Sequence, residues 1–333
     1  MRPDNSLPQT VKAFAAPSNL YSAFQLGSTI VMLCLCYVVM YVGVSHGHYL
    51  SLLAAPLAAG LSVRVFVLQH DCGHRALFTS PAANHWTGRL CSLFSFTPYD
   101  HWRRHHGLHH DGWNNIGARG KISNMYSDCL TVAEYRGLTK VERLFYRISR
   151  HPALSLFIMP PIIFLFVYRF PFDTPAGWGK ERIGTYVTDV VMLLVLGVIG
   201  HFAGYLNVLL VTGLVIYPAS VFGVWLFLLQ HTFDTAHWTE DAEWNSFEAS
   251  LSGCSLLKLP AVLQWFSASI GYHHVHHAAP GVPNYKLAAC HEAHQVFRQS
   301  RQLGLREGLA EIGKLRLWDE EAGIMVNLSS VKV

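Results

Sequence analysis

Four long runs of apolar side chains govern what this chain can fold into. Residues 24–45 and 206–229 hold no Asp, Glu, Lys or Arg; residues 50–69 hold only Arg64, and residues 186–204 only Asp189. At 1.5 Å per helical residue, each run is about long enough to cross a hydrocarbon layer of roughly 30 Å. Charged residues make up 14% of the 333, against about a quarter in soluble domains. A mean hydropathy of +0.25 is nevertheless too low for a chain embedded throughout. A membrane domain with a large polar portion follows.

The runs are paired by tight loops, 46–49 and 204–207, that contain no Lys or Arg, so all 25 basic residues lie elsewhere. The positive-inside rule then places both termini and the middle of the chain in the cytoplasm. The predicted architecture is an all-α membrane protein, four transmembrane helices as two hairpins plus a cytosolic helical cap. Its parts are a cytosolic segment 1–23, hairpin 24–69, a cytosolic and interfacial region 70–185, hairpin 186–229 and a cap 230–333. Residues 154–168 are apolar but broken by Pro160-Pro161, which predicts a re-entrant or interfacial segment. Pro218 is expected to kink the last span. Arg64 is expected to be paired inside the bundle or to snorkel. Residues 303–317 read as an amphipathic helix and 315–333 as an extended tail. The N-terminal residues show no apolar core of signal-peptide type. The seven cysteines form no CxxC pair and fit a reduced, cytosol-facing chemistry. The net charge of +4 forms no compact basic patch, which argues against nucleic acid.

Twenty histidines are the compositional anomaly, and they are patterned. His273, His276 and His277 stand at i, i+3 and i+4, which puts three imidazoles on one helical face. His106, His109 and His110 repeat that spacing. His70 and His74 lie four apart where the second run ends, and His231 lies where the fourth run ends. Two hairpins bring both of those ends to the same side of the bundle, so topology delivers the four groups to one place. Nine imidazoles exceed what one ion uses, and a pair of metals sharing them is natural. All-nitrogen ligation suits iron, zinc, copper or nickel. Iron makes most sense at a membrane edge, because attack on an unactivated C–H bond needs redox chemistry that zinc lacks.

At these residues the chain resembles the membrane fatty acid desaturase family, and in detail its delta-12 (omega-6) and omega-3 acyl-lipid branch. The matching strings run in order along nearly the whole sequence: HDCGH at 70–74, SFTPYDHWRRHHGLHH at 95–110, TVAEY at 131–135, RHP at 150–152, QHTFDTAHW at 230–238, LPAVLQWF at 259–266, IGYHHVHH at 270–277, PNYKL at 283–287 and LWDEE at 317–321. The resemblance implies a cytosolic cap holding a di-iron centre, two iron ions ligated by His70, His74, His106, His109, His110, His231, His273, His276 and His277. His274, His101, His105, His237, His291 and His294 take no ligand role. It also implies O2 as co-substrate and a lipid acyl chain (glycerolipid, acyl-CoA or acyl-ACP) as substrate. No electron-donor motif is present in the chain, so a separate donor such as ferredoxin or a b-type cytochrome is expected, docking on the basic surface at residues 136–150.

Asp71 and Asp111 are expected to orient ligand imidazoles from behind. Phe94, Phe96, Trp102, Trp265, Phe266 and Ser269 are expected to line the acyl tunnel. Ser269 stands where this branch commonly has asparagine, and NNIGARGKISN at 114–124 departs from the branch after the second box; both lie near the expected substrate path. The implied localisation is a multi-pass protein of the bacterial inner membrane. The rival readings are a hydroxylase of the same superfamily acting on an acyl chain, an alkane or a carotenoid, and a membrane metal transporter. The transporter reading predicts ionisable residues lining a path through the spans.

Overall fold

The computed structural model describes residues 9–119, 128–314 and 316–332. Part of the NNIGARGKISN segment (120–124) and the two ends of the expected tail (315 and 333) lie outside the described residues. The fold is mostly helical, and four of its helices are long and apolar enough to cross a membrane. Asn19–Ser45 and Ala55–Gly73 form the first hairpin, Gly179–Ala203 and Tyr205–His231 the second. Each helix runs past its apolar stretch. Ser18 caps the first by accepting from the Tyr21 N–H, and the second continues through HDCGH. That extension turns the i, i+4 spacing of His70 and His74 into a shared helical face.

Apolar faces of both hairpins meet around Leu33, Met40, Leu61, Val65, Val211 and Val215, all fully buried. Their outer faces carry exposed residues such as Val31, Leu35, Leu193 and Leu209, as expected of helices facing lipid. Pro218 lies within the continuous helix Tyr205–His231 and does not end it. Arg64 is paired: its Nε donates to Thr29 Oγ1 at 3.2 Å, its Nη1 to the Trp265 carbonyl, and its guanidinium lies 4.3 Å from the Trp265 ring centroid. Asp189 is held by Arg169 at 2.5 Å. Both ionisable residues that sequence places within the spans therefore have local partners.

The segment containing Pro160-Pro161 folds as a π-helical turn, Leu154–Ile158, followed by the α-helix Met159–Leu165. It meets the preceding helix, Lys140–Ser149, at a bend of 50° across residues 150–153, which include Pro152. Lys140–Ser149 exposes Val141, Leu144, Phe145 and Ile148. Such an apolar row, interleaved with arginines, suits a helix lying in a membrane interface.

Two expectations for the C-terminal part need correction. The amphipathic helix is shorter than predicted, Leu305–Ile312, because Gln302–Gly304 pairs in parallel with Leu256–Lys258 and so stays extended. The tail is no free extended strand. Arg316–Asp319 pairs antiparallel with Ile324–Asn327, and Gly323, at φ 63°, supplies the left-handed residue that closes the turn.

Candidate metal centre

Four separate elements bring imidazoles to one end of the bundle: the end of Ala55–Gly73 with its cap His74, the helix Tyr99–Gly112, the last residue of Tyr205–His231, and the short helix His273–Ala278. The last is locked in place by its approach. Gln230 donates to the Ile270 carbonyl at 3.0 Å, and a Cβ on Gly271 would lie 2.6 Å from the Leu257 carbonyl oxygen, so only glycine fits that crossing.

The nine histidines divide into two adjoining sets. Ring nitrogens of His70, His74, His106, His110 and His276 all lie within 4.8 Å of one another, as do those of His109, His231 and His277. His273 joins the second set, its Nε2 being 2.9 Å from that of His231. Neighbouring Nε2 atoms are 2.9 Å apart for His74 and His106, 3.0 Å for His106 and His110, 3.1 Å for His110 and His276, and 3.2 Å for His109 and His231. Two nitrogens bound to one ion at about 2.0–2.1 Å stand about 2.9–3.0 Å apart at 90°, but about 3.3–3.4 Å at the tetrahedral angle. The observed spacings span the range that two ligands of one ion adopt, and the first set offers five nitrogens, one more than a tetrahedral ion takes. The buried Nε2 atoms of His70 and His277 have no hydrogen-bond partner, as expected of atoms that face a metal. The residues fit a pair of ions side by side, with His110 and His277 stacked 4.0 Å apart between the sets.

Burial, and then the neighbouring imidazoles, hold His74, His106, His110, His273, His276 and His277 well below the ordinary histidine value of 6.5. At neutral pH they are uncharged, the form that ligates. His274 turns away from the cage; its Nε2 is 2.9 Å from Nδ1 of His291. Trp113, which sequence reasoning passed over, supports the cage from behind. Its ring centroid lies 4.1 Å from that of His231, and its Nε1 donates to the Gly253 carbonyl at 2.9 Å.

The two carboxylates expected to orient imidazoles behave differently. Asp71 Oδ1 is 3.6 Å from Nδ1 of His70, beyond hydrogen-bond length. Its Oδ2 instead accepts from N and Nδ2 of Asn284, both at 2.8 Å. Asn284 also accepts from Gln25 Nε2 at 2.9 Å, and the Tyr285 hydroxyl accepts from the Ser18 N–H at 2.7 Å. The PNY string therefore ties the third box to the first helix and to the first box. Asp111 is exposed on the rim of a surface groove of about 1150 Å³, so it meets solvent and not a ligand. Replacing Asp71 by alanine strands the buried Asn284 donors, at a cost of about 1–3 kcal/mol. Because Asn284 ties the third box to the first, the loss is expected to appear as a lower unfolding temperature, read by thermal denaturation in detergent.

Beneath the cage lies an apolar cavity of about 280 Å³. Of the aromatic residues expected to line it, only Trp102 does, its ring stacked 4.6 Å from that of His106. Phe94 and Phe266 pack into the bundle core. Phe96 caps the helix Pro81–Ser95 at φ 57°, Trp265 covers Arg64, and Ser269 is a turn residue at φ 61°. Asparagine tolerates that left-handed region better than most residues, which gives a backbone reason to expect it at such a turn. The actual walls include Phe66, Val67, Phe164, Tyr168, Phe227 and Gln230. Aromatic residues at 164–172 inside a segment too short to cross the membrane were the available signal. At the outer end, Asp173 Oδ1 accepts from His101 Nε2 at 2.8 Å and its Oδ2 lies 3.2 Å from His105 Nε2, beside the exposed Phe170 and Phe172.

A sequence profile of fatty acid desaturases matches residues 47–307. A fatty acid desaturase of Bacillus subtilis (strain 168) is 33% identical over 326 residues, covering 98% of this chain and 91% of the relative. An sn-1 oleoyl-lipid 12-desaturase of Synechocystis is 24% identical over 268 residues, 78% of this chain and 73% of the relative. An sn-1 acyl-lipid omega-3 desaturase (ferredoxin) of the same genus is 24% identical over 242 residues, 69% and 63% of the two chains.

Proposed function

The chain belongs to the fatty acid desaturase family, and from that premise we propose that it is an oxygen-dependent acyl-lipid desaturase with a histidine-held di-iron centre. The observation that carries this reading is the apolar cavity whose wall is shared with the cage, through His70, His106, His109 and His273. A methylene in that cavity lies against the imidazoles. Iron held by the nine histidines supplies the oxygen chemistry that attacks unactivated C–H bonds. One hydrogen leaves each of two adjacent methylenes, and with two electrons and two protons one O2 becomes two waters. The chain's own part is to bind and exclude. Trp102, Phe66 and Phe227 surround the acyl chain, Gln230 fixes the roof, and the buried site keeps bulk water from the reacting carbons.

The finer form of the reading is delta-12 desaturation of a membrane glycerolipid, supported by the PNY string and by the name of the Synechocystis 12-desaturase. Electrons come from a separate protein such as the ferredoxin in the name of the omega-3 relative. Both hairpins cross a bacterial inner membrane, with the cage and both termini on the cytoplasmic side, supported by loops free of Lys and Arg.

Expression of the full chain in a host that supplies ferredoxin and its reductase, followed by methyl-ester profiling, tests this. New double bonds are expected, placed at the twelfth carbon. Hydroxy acids in their place would favour the hydroxylase, and an unchanged profile from iron-loaded protein would sink both.

A further inference from the structure

The acyl cavity has a floor, and one residue of that floor lacks a side chain. Seven residues separate Val63 from His70, and eight separate Gly223 from His231. Along their helices the floor therefore lies about 10–12 Å from the cage. There the cavity is bounded by Val63, Phe66, Phe164 and Gly223, and the same four residues line a second chamber of about 20 Å³ beyond it. Phe66 and Phe164 meet edge to face with ring centroids 6.2 Å apart and separate the two spaces. A Cβ added at Gly223 meets no atom within 4 Å, so any larger side chain there enters open space and not packed protein.

The two ends of the cavity differ in chemistry. The outer end carries Asp173, His101 and His105 and suits the polar carboxyl end of an acyl lipid, which must stay near water. The inner end is walled by Val63, Phe66, Phe164 and Gly223, which offer no charge, and suits the methyl end. We propose that Gly223, with Phe66 and Phe164, is the methyl-end stop of this enzyme. The gap between cage and stop then sets which chain lengths are accepted and how many carbons separate the new double bond from the methyl terminus. The proposal rests on the desaturase reading and adds the residue that sets its selectivity. A Cβ at Gly223 meets no neighbouring atom and leucine is a better helix former than glycine, so Gly223→Leu is expected to keep the fold and the metal.

Gly223→Leu and Phe66→Ala in the full chain test it, by chain length and double-bond position of the products. Gly223→Leu is expected to lower conversion of the longest wild-type substrate at least about tenfold, the order of one or two lost methylene sites, and to favour shorter chains at unchanged iron content. Phe66→Ala, which joins the two chambers, is expected to shift use toward longer chains. Identical profiles for wild type and both variants would overturn the proposal while leaving the desaturase reading standing. Should the wild type form no double bond, the desaturase reading fails. Thermal stabilisation of the purified protein by saturated fatty acids from laurate to arachidate then decides the stop alone. A preference that moves to shorter acids in Gly223→Leu supports it, and one that stays unchanged rejects it.

Discussion

His276→Ala is expected to remove both metal and desaturation, while His274→Gln, two positions earlier, leaves metal content near wild type. The two residues share one short helix and are both buried, so burial alone does not separate them. His276 Nε2 lies 3.1 Å from His110 Nε2, inside a five-imidazole set. His274 faces His291 instead, and burial beside that ring pushes it down to about 3. Changes behind a ligand commonly cost about 10–100-fold, so loss of a direct ligand should exceed about 100-fold in product formed and lower bound iron. Iron per chain and lipid profile, measured on both variants, check it. Retention of full iron by His276→Ala would break the assignment of the five-histidine set. Loss of iron in a folded His274→Gln would show that the cage extends beyond the nine.

Metal removal is expected to cost more stability than any single substitution discussed above. The cage is the meeting point of four elements, and without ions it holds nine imidazoles whose lone pairs face one another in a buried space. A ligand that binds only the native state stabilises it in proportion to the logarithm of its concentration over its dissociation constant, and imidazoles held neutral are already in the form that binds. A strong chelator should therefore lower the unfolding temperature by at least about 10 °C, read by tryptophan fluorescence in detergent.

Acid should act in the same direction. The folded-state values of His74, His106, His110, His273, His276 and His277 lie below 6.5, so below that pH the unfolded chain binds protons that the folded chain refuses. Stability is intact above about pH 6.5 and falls as pH drops beneath it, by a little over 1 kcal/mol per unit for each such group. The metal-free protein should show a steep loss of stability between about pH 6.5 and 5. A flat profile there would mean that the imidazoles are solvated and the cage is not dry.

Much of the site was legible in the chain because its parts are local. The i, i+3, i+4 spacing of two boxes, the i, i+4 pair and the lone His231 each lie on one helix end, and helical periodicity translates such spacing into a shared face. The apolar runs are legible for a similar reason, since an unbroken stretch without charge has few places to go outside a bilayer. The tunnel was not legible. Trp265 and Phe266 sit seven or eight residues before the third box, yet one covers Arg64 and the other packs in the core. Asp111 directly follows His110, yet is exposed to solvent. Adjacency in sequence says nothing of which way a side chain faces once its helix has docked.

The sequence by itself determined the helical membrane architecture and the identity of nine converging histidines, through hydropathy and spacing, which are properties of contiguous residues. Only the tertiary structure decided how those histidines group, five together, three beside them, and His273 against His231. It also revealed that residues between 163 and 173 wall the apolar cavity and that Gly223 places no side chain at its inner end. Each of those facts joins residues such as His109 and His231, 122 positions apart, or Phe66 and Phe164, from different helices. Such contacts are fixed by how helices pack against one another, and no spacing within either helix encodes them.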